Sequence, residues 1–597
     1  MKSHARMLRR ILIPLALVAL VWVAYANSLS CAWQFDDNRS ILQFDYATAT
    51  LGEVVRFAPQ RALGFLTFWA NYQLVGYHVA WWHVVNITLH CVNTLLVYWL
   101  TLLIFTRASR ATDTATRTAC ATLAGACVAG LFAVHPIQTQ AVTYVVQRLE
   151  LLGALCLLLA VLGAIKALAS TGRAAHVAWG VLALVALGAG AFSKEIIVAA
   201  PVIVAAYVIL LQLRTARARW YAAAVCAAGA GICVLALLLQ FKALRFTPWP
   251  QLSMAPFAVL WETTSPLAHY ATQPRMLLMY LRVCLFPWQQ RVEYDILPSA
   301  GFGEIGVLGA LALQMLVVGV GVALWRRMPA VLFGLVWFYA VLAPSAIMPN
   351  DFFEHRVYAA LPGVLIALLV PLCEELTAQT AAVRRTLTMA VGGALALLLL
   401  SFVSLTHLRN EVWQTPLSLW QDAALKSPGS WRANVNFGRE LLAVDHLPEA
   451  RAYLERAYQL NSNNFLVALN LGAWHYNADD YSRSLELLQA AQRMKPDHPL
   501  VLLYLGSVQL AAGLEHEGSN TLLRASTAEA IAALAAHYRA QGRSAEALPL
   551  YERILRTRPQ DTAALMAMAE TLIALQRTNE AARFLQPLRT LPAQGAP

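Results

Sequence analysis

Two aspartates stand side by side in Phe35-Asp36-Asp37-Asn38-Arg39, roughly ten residues past an apolar run from Ile11 to Ala26. Adjacent carboxylates repel each other unless a shared proton or a cation relieves them. A divalent cation held by Asp36 and Asp37 is therefore one open reading, and no other cofactor is called for. A carboxylate at a membrane surface can also take the proton of an acceptor hydroxyl while a lipid-borne donor reaches in from the side, which makes Asp36 and Asp37 the candidate catalytic pair. In another setting such a pair is simply a solvated turn. Further along, His83, Asn86 and His90 fall at i, i+3 and i+7, on one helical face. Two histidines seven apart could hold a metal, but with no carboxylate on that face a helix-packing hydrogen-bond network is favoured.

More polar groups punctuate the apolar sequence. They are Arg61, His135-Pro136 with Gln138 and Gln140, Gln147-Arg148-Leu149-Glu150, Ser193-Lys194-Glu195, Arg275, Arg291 with Glu293-Tyr294-Asp295, and Asp351 through Arg356. Asp351, Glu354 and His355 have the atom types of a metal site but lack a fourth ligand, so the metal is left unknown. All these groups map to the ends of apolar spans on one side. Arginine grips phosphate oxygens through bidentate hydrogen bonds, so a lipid-carried phosphate is the ligand such a set would suit. Arg61, His83, His135, Lys194, Glu195, Arg275, Arg291, Glu354, His355 and Arg356 are the candidate binding residues for that phosphate or its sugar.

The elements that must position these residues are membrane helices. The chain is 59% hydrophobic and 13% charged with mean hydropathy +0.54, against roughly a quarter charged in soluble proteins. A soluble enzyme is excluded. Stretches long enough to cross a bilayer fall near 11 to 26, 80 to 106, 118 to 134, 151 to 169, 176 to 193, 195 to 213, 220 to 240, 305 to 325, 329 to 348, 357 to 373 and 386 to 404. That is about eleven transmembrane helices in an all-α fold. Met276 to Trp288 reads as an interfacial or half-membrane helix. Before residue 405 there are 27 Lys/Arg and 15 Asp/Glu, and after 404 there are 18 of each, so the whole net charge of +12 belongs to the apolar part. Basic clusters at Arg107/Arg110/Arg117, Lys166/Arg173, Arg214/Arg217/Arg219, Arg326/Arg327 and Arg384/Arg385 recur on alternate loops. That pattern sets membrane orientation and gives no reason to expect a nucleic-acid partner. It places the N-terminus in the cytoplasm and the tail outside, as for a bacterial inner-membrane protein with a periplasmic tail. The nine cysteines lie before residue 374, most inside apolar runs, and read as packing residues.

In the tail, Gly438, Gly472 and Gly506 are 34 residues apart, as are Ala457, Ala491 and Ala525; the period breaks and resumes with Ala535 and Ala569. Thirty-four residues is the tetratricopeptide period. The spacing predicts four or five helix pairs stacked into a superhelix whose concave face could hold a peptide. The domain reading is residues 1–404 as the multispan part, 405–425 as a linker helix and 426–597 as the repeats.

Taken in order, Phe35-Asp36-Asp37, Arg61 through Asn71, Tyr77-His78 through Asn93, His135-Pro136 with Gln140-Ala141-Val142, Ser193-Lys194-Glu195, Glu293-Tyr294-Asp295 and Glu354-His355-Arg356-Val357-Tyr358, followed by repeats, resemble the transmembrane and tetratricopeptide-repeat glycosyltransferases. These are a branch of the polytopic GT-C superfamily that includes dolichyl-phosphate-mannose protein O-mannosyltransferases. The resemblance covers nearly the whole chain and rests on the ordered set, not on any one motif. It implies a polyprenyl-phosphate-linked sugar as donor, a hydroxyl on protein as acceptor, Asp36 as general base and Asp37 as its orienting or cation-binding partner. Two departures stand out: Arg61-Ala62 where relatives have Arg-Pro, and Gln138 and Gln140 where they have His and Glu.

The expected function is thus sugar transfer from a polyprenyl-phosphate carrier to a Ser/Thr hydroxyl of a secreted or surface protein, outside the cytoplasm, with the repeats holding the acceptor. The alternatives are transfer to a glycan or lipid, transfer of a preassembled oligosaccharide, or a non-enzymatic membrane-anchored scaffold. A scaffold would need one span, and a transporter would want charges near mid-membrane.

Overall fold

The computed structural model describes residues 2–212, 265–347 and 352–590, with a few isolated positions between 213 and 264. All the regular secondary structure of the described residues is helical, with no strand among them. Two compact units divide the chain, Met1–Asp422 and Ala423–Pro597.

In the first unit, nine helices among the described residues are long and apolar enough to cross a bilayer: Ile11–Ser30, Val79–Ala108, Thr114–Val134, Val145–Ala169, Arg173–Ala191, Ile305–Leu324, Pro329–Ile347, Leu361–Ala378 and Ala381–Val412. At 1.5 Å per residue, about 20 residues cover the roughly 30 Å hydrocarbon layer. The chain is an all-α, polytopic membrane protein. The apolar stretch expected over 195–213 forms the shorter run Glu195–Leu211, while 220–240 and the basic cluster Arg214/Arg217/Arg219 lie outside the described residues. The segment expected at the interface is a helix, Pro266–Leu285. It carries Arg275 and Arg282 and is not among the nine.

Where two spans approach most closely, the residues are small. A Cβ on Gly334 would stand 2.2 Å from the Gly363 carbonyl, and one on Gly363 would stand 2.6 Å from that of Gly334. Helices Pro329–Ile347 and Leu361–Glu375 thus cross backbone to backbone, the contact that small residues permit in membranes. An apolar core runs through Ile87, Phe132, Leu157, Trp337 and Tyr358.

Between the first two spans lie several short helical pieces. Thr50 and Glu53 form a reciprocal capping box at the start of Leu51–Phe57. Ala62–Val75 follows as a 14-residue helix. The first stretch of this loop is pinned to the end of the last long helix: Ala32 N donates to the Gln414 carbonyl (2.9 Å), and Gln34 Nε2 donates to that of Trp413 (3.1 Å).

The second unit contains five helix pairs, beginning at Trp431, Phe465, Pro499, Ala528 and Thr562. The expected 34-residue stagger holds except at the third junction. There the second helix is cut to Glu515–Ala525 and the chain turns through Ser526 with φ +56°. The period break in the sequence is this shortened helix. Gly438, Gly472 and Gly506 each lie against a leucine of the paired helix; an added Cβ would meet Leu454, Leu488 and Leu522 at 2.6, 2.8 and 2.6 Å.

Candidate functional site

The acidic pair is split by one backbone turn. Phe35 adopts a left-handed conformation, φ +41°, which costs a non-glycine residue free energy and persists only where the surroundings hold it. What holds it is an aromatic nest: the Phe35 ring lies 4.9 Å from Trp420, 5.7 Å from Tyr144 and 6.2 Å from Trp413. The turn sends the two carboxylates to opposite environments. Asp36 is exposed, with its N–H donating to the Tyr144 hydroxyl at 2.9 Å. Asp37 is fully buried, its Oδ2 accepting from Gln34 N (2.9 Å) and its Oδ1 from Val146 N (2.7 Å). Burial pushes the Asp37 carboxyl up to about 8, against the opposing pull of the two N–H donors. Asp36 is left open to solvent, while Asp37 fastens the loop to the turn at Val145–Gln147. Each Asp37 oxygen meets one backbone N–H dipole. No group of three or more metal-ligating side chains occurs among the described residues.

A second group is assembled from elements far apart in sequence. Lys194 Nζ lies 3.0 Å from Glu150 Oε2, with both side chains buried, and Arg61 Nη2 lies 3.4 Å from Glu195 Oε2, both half-exposed. The short helix Glu354–Val357 brings His355 and Arg356 to the same place. His355 N donates to Gln140 Oε1 at 2.8 Å, and the Arg356 guanidinium lies over the Phe353 ring at 5.1 Å and faces the Tyr280 hydroxyl. Burial, reinforced by the charges of Lys194, Arg356 and Arg61, holds His355 neutral, well below its ordinary range. The charges of Lys194, Arg356 and Arg61 are thus all felt at the His355 imidazole. Arg61, Lys194, Glu195, His355 and Arg356 are the expected binding residues that the fold brings together.

The others are engaged elsewhere. His83 Nε2 lies 3.0 Å from the Cys31 carbonyl, and His135 Nε2 the same distance from that of Cys284, while His135 Nδ1 accepts from Ile137 N. His90 bridges the Tyr358 hydroxyl and the Ala133 carbonyl. The histidine face is thus a packing network. Arg275 bonds Ser299 Oγ (2.9 Å) and the Leu297 carbonyl and lies 3.6 Å from Glu304. Glu354 is a hub, accepting from Tyr294 Oη (2.6 Å) and Arg291 N (2.9 Å), with Arg409 3.8 Å away. Arg409 also pairs with Asp422 at 2.9 Å, and Trp413, one helical turn on, stacks on Tyr144. This bridge connects the surroundings of His355 with the Phe35 turn. Asp351 lies outside the described residues. Sequence reasoning missed the parts played by Tyr144, Glu150 and Arg409; a charged or hydroxyl residue close to the end of an apolar span was the available signal.

The chain is 32% identical over 160 residues to the protein O-mannosyl-transferase Tmtc1 of Drosophila melanogaster, covering 24% of this chain and 17% of that one. It is 32% identical over 167 residues to the protein O-mannosyl-transferase TMTC4 of Homo sapiens, covering 25% and 22%. The chain is similar to protein O-mannosyl-transferases. This bears out the resemblance read from the motifs, although the matched stretch spans less than a quarter of the length of either relative. The model of the tetratricopeptide repeat matches residues 538–593. Among solved structures, MamA protein is 17% identical with a TM-score of 0.23, covering 26% of this chain and 88% of that one. YrrB, described as a TPR protein with an unusual peptide-binding site, is 18% identical with a TM-score of 0.22, covering 28% and 89%.

Proposed function

We propose that this protein is a membrane glycosyltransferase that moves a sugar from a polyprenyl-phosphate carrier to a Ser or Thr hydroxyl of a protein on the non-cytoplasmic side. The observation that carries the reading is the splitting of Asp36 from Asp37 at a membrane surface, in a chain similar to protein O-mannosyl-transferases. Asp36, exposed and held at its N–H by Tyr144, takes the proton of the acceptor hydroxyl as that oxygen attacks the anomeric carbon. The bond from that carbon to the carrier phosphate breaks, and its electron pair leaves on the phosphate. Arg61, Lys194 and Arg356 receive the growing negative charge, the kind of fixed electrostatic stabilisation that is worth most away from water. His355, kept neutral, hydrogen-bonds without adding repulsion. The repeats hold the acceptor polypeptide, since stacked helix pairs form grooves for extended peptides.

The test is Asp36→Asn in membranes supplied with a polyprenyl-phosphate sugar and the natural acceptor. Asparagine is nearly isosteric but cannot accept the proton, and positioned general bases contribute roughly 10² to 10⁴ in rate. Transfer should fall by about that factor with donor binding unchanged. Full transfer in Asp36→Asn would remove Asp36 from the chemistry.

A further inference from the structure

Arg148 is fully buried at the start of the Val145–Ala169 span, and its hydrogen-bond partners are neutral. Nε donates to Asn86 Oδ1 at 2.9 Å, Nη2 to Asn71 Oδ1 at 2.8 Å and to the Trp82 carbonyl at 3.1 Å, and Nη1 to the Thr67 carbonyl at 3.3 Å. The guanidinium is clasped between the rings of Phe68 and Trp82, 5.0 and 5.2 Å from their centroids. Burying a cation is expensive unless its bonds are satisfied, so a site this complete has been shaped for an arginine in particular.

Its best-placed partner leads directly to the acidic pair. The Asn86 amide, oriented by Arg148, donates through Nδ2 to the Val142 carbonyl (3.2 Å) and the Val145 carbonyl (3.3 Å). These two carbonyls bracket the Thr143–Tyr144 link. From that turn hang both aspartates: Asp36 by its N–H on the Tyr144 hydroxyl, and Asp37 by its Oδ1 on the Val146 N–H. Asn86 thus lies two hydrogen bonds behind the Asp37 carboxylate and Arg148 three, and neither touches either aspartate.

We propose that Arg148, acting through Asn86, is the positioning residue that fixes the place and direction of the Asp36–Asp37 turn; the inference rests on the reading of Asp36 as the base. Misplacing a reacting group by about 1 Å can cost 10²-fold in rate.

Arg148→Lys keeps a buried cation but loses the fork that serves Asn86, Asn71 and Thr67 together. Transfer turnover should fall on the order of 10- to 100-fold with donor affinity unchanged. The double variant Arg148→Lys/Asp36→Asn should be no slower than Asp36→Asn alone, because a residue that acts only through Asp36 has nothing left to position. Additive losses would overturn the proposal.

Amide hydrogen exchange supplies a readout independent of transfer. The Asp36 and Val146 amides should exchange about tenfold faster in Arg148→Lys, while amides of the Thr114–Val134 span hold their rates. If Arg148→Lys does not fold, Asn86→Asp keeps the acceptor for Arg148 but loses the donor to Val142 and Val145, and the same two amides should speed up. Unchanged exchange in the variant that folds refutes the positioning role. Accelerated exchange in a protein that transfers no sugar would uphold the positioning and refute the proposed function instead.

Discussion

Lys194 and Glu150 form an ion pair whose two possible purposes, holding the fold together and holding a donor phosphate, make different predictions. The charges are 3.0 Å apart, with side-chain exposures of 8% and 0%. At an effective dielectric of about 20, charges at that distance attract by about 5 kcal/mol, most of it offset by the desolvation of both groups. Removing one partner is another matter: among the described residues no donor besides Lys194 reaches the Glu150 carboxylate. Lys194→Met strands that carboxylate in the core, a change that typically costs about 3–5 kcal/mol. Replacing both charges with apolar groups of similar size is often neutral or better, so Lys194→Met/Glu150→Leu should recover most of the loss. The assay is the fraction folded after graded heating in detergent. A shift of roughly 3–6 °C is expected for the single variant, taking about 1 °C per kcal/mol for a unit of this size, with near wild-type behaviour for the double. Binding of a polyprenyl-phosphate sugar to the double variant then separates the two purposes. If Lys194 stands with Arg61 and Arg356 around the phosphate, affinity stays down tenfold or more although the fold is restored. A single variant as stable as wild type, or a double variant as unstable as the single, refutes the reasoning about the buried pair.

Three further outcomes are expected. Arg356→Ala should weaken donor binding, with Arg356→Lys falling between it and wild type, because lysine keeps the charge but not the bidentate grip; normal binding by Arg356→Ala would remove Arg356 from the site. His135, held at about 4 by burial, must stay neutral in the fold while the unfolded chain takes up a proton near 6.5, so stability falls as pH drops from about 6.5 towards 4. A pH series of heat stability should show this slope, reduced in His135→Asn; an identical slope in that variant would mean other groups cause it. Finally, a reporter active only in the cytoplasm, fused after Pro597, should stay silent, and a strong signal would invert the orientation read from the basic loops.

Hydrophobic length, alternating basic loops and a 34-residue period are local properties, so they were legible in the sequence. A bilayer demands about 20 apolar residues wherever a span occurs, and a repeat must place Gly438, Gly472 and Gly506 alike because each meets a leucine of its own partner helix. Even the period break after Ala525 marked a real feature, the shortened helix Glu515–Ala525. The types of the polar residues at span ends were also legible, but their partners were not. Lys194 meets Glu150 across 44 positions, Glu354 meets Arg409 across 55, and Asn86 reaches the carbonyls of Val142 and Val145. Nothing in the spacing of these residues encodes such pairs, which arise only when separate helices pack. For the same reason the sequence could not separate His355, surrounded by cations, from His83 and His135, which are bound to carbonyls. Nor could it tell Asp36 from Asp37. Their difference comes from a left-handed Phe35 held by Tyr144, Trp413 and Trp420, three aromatic residues from distant parts of the chain whose packing decides which carboxylate faces water and which is buried.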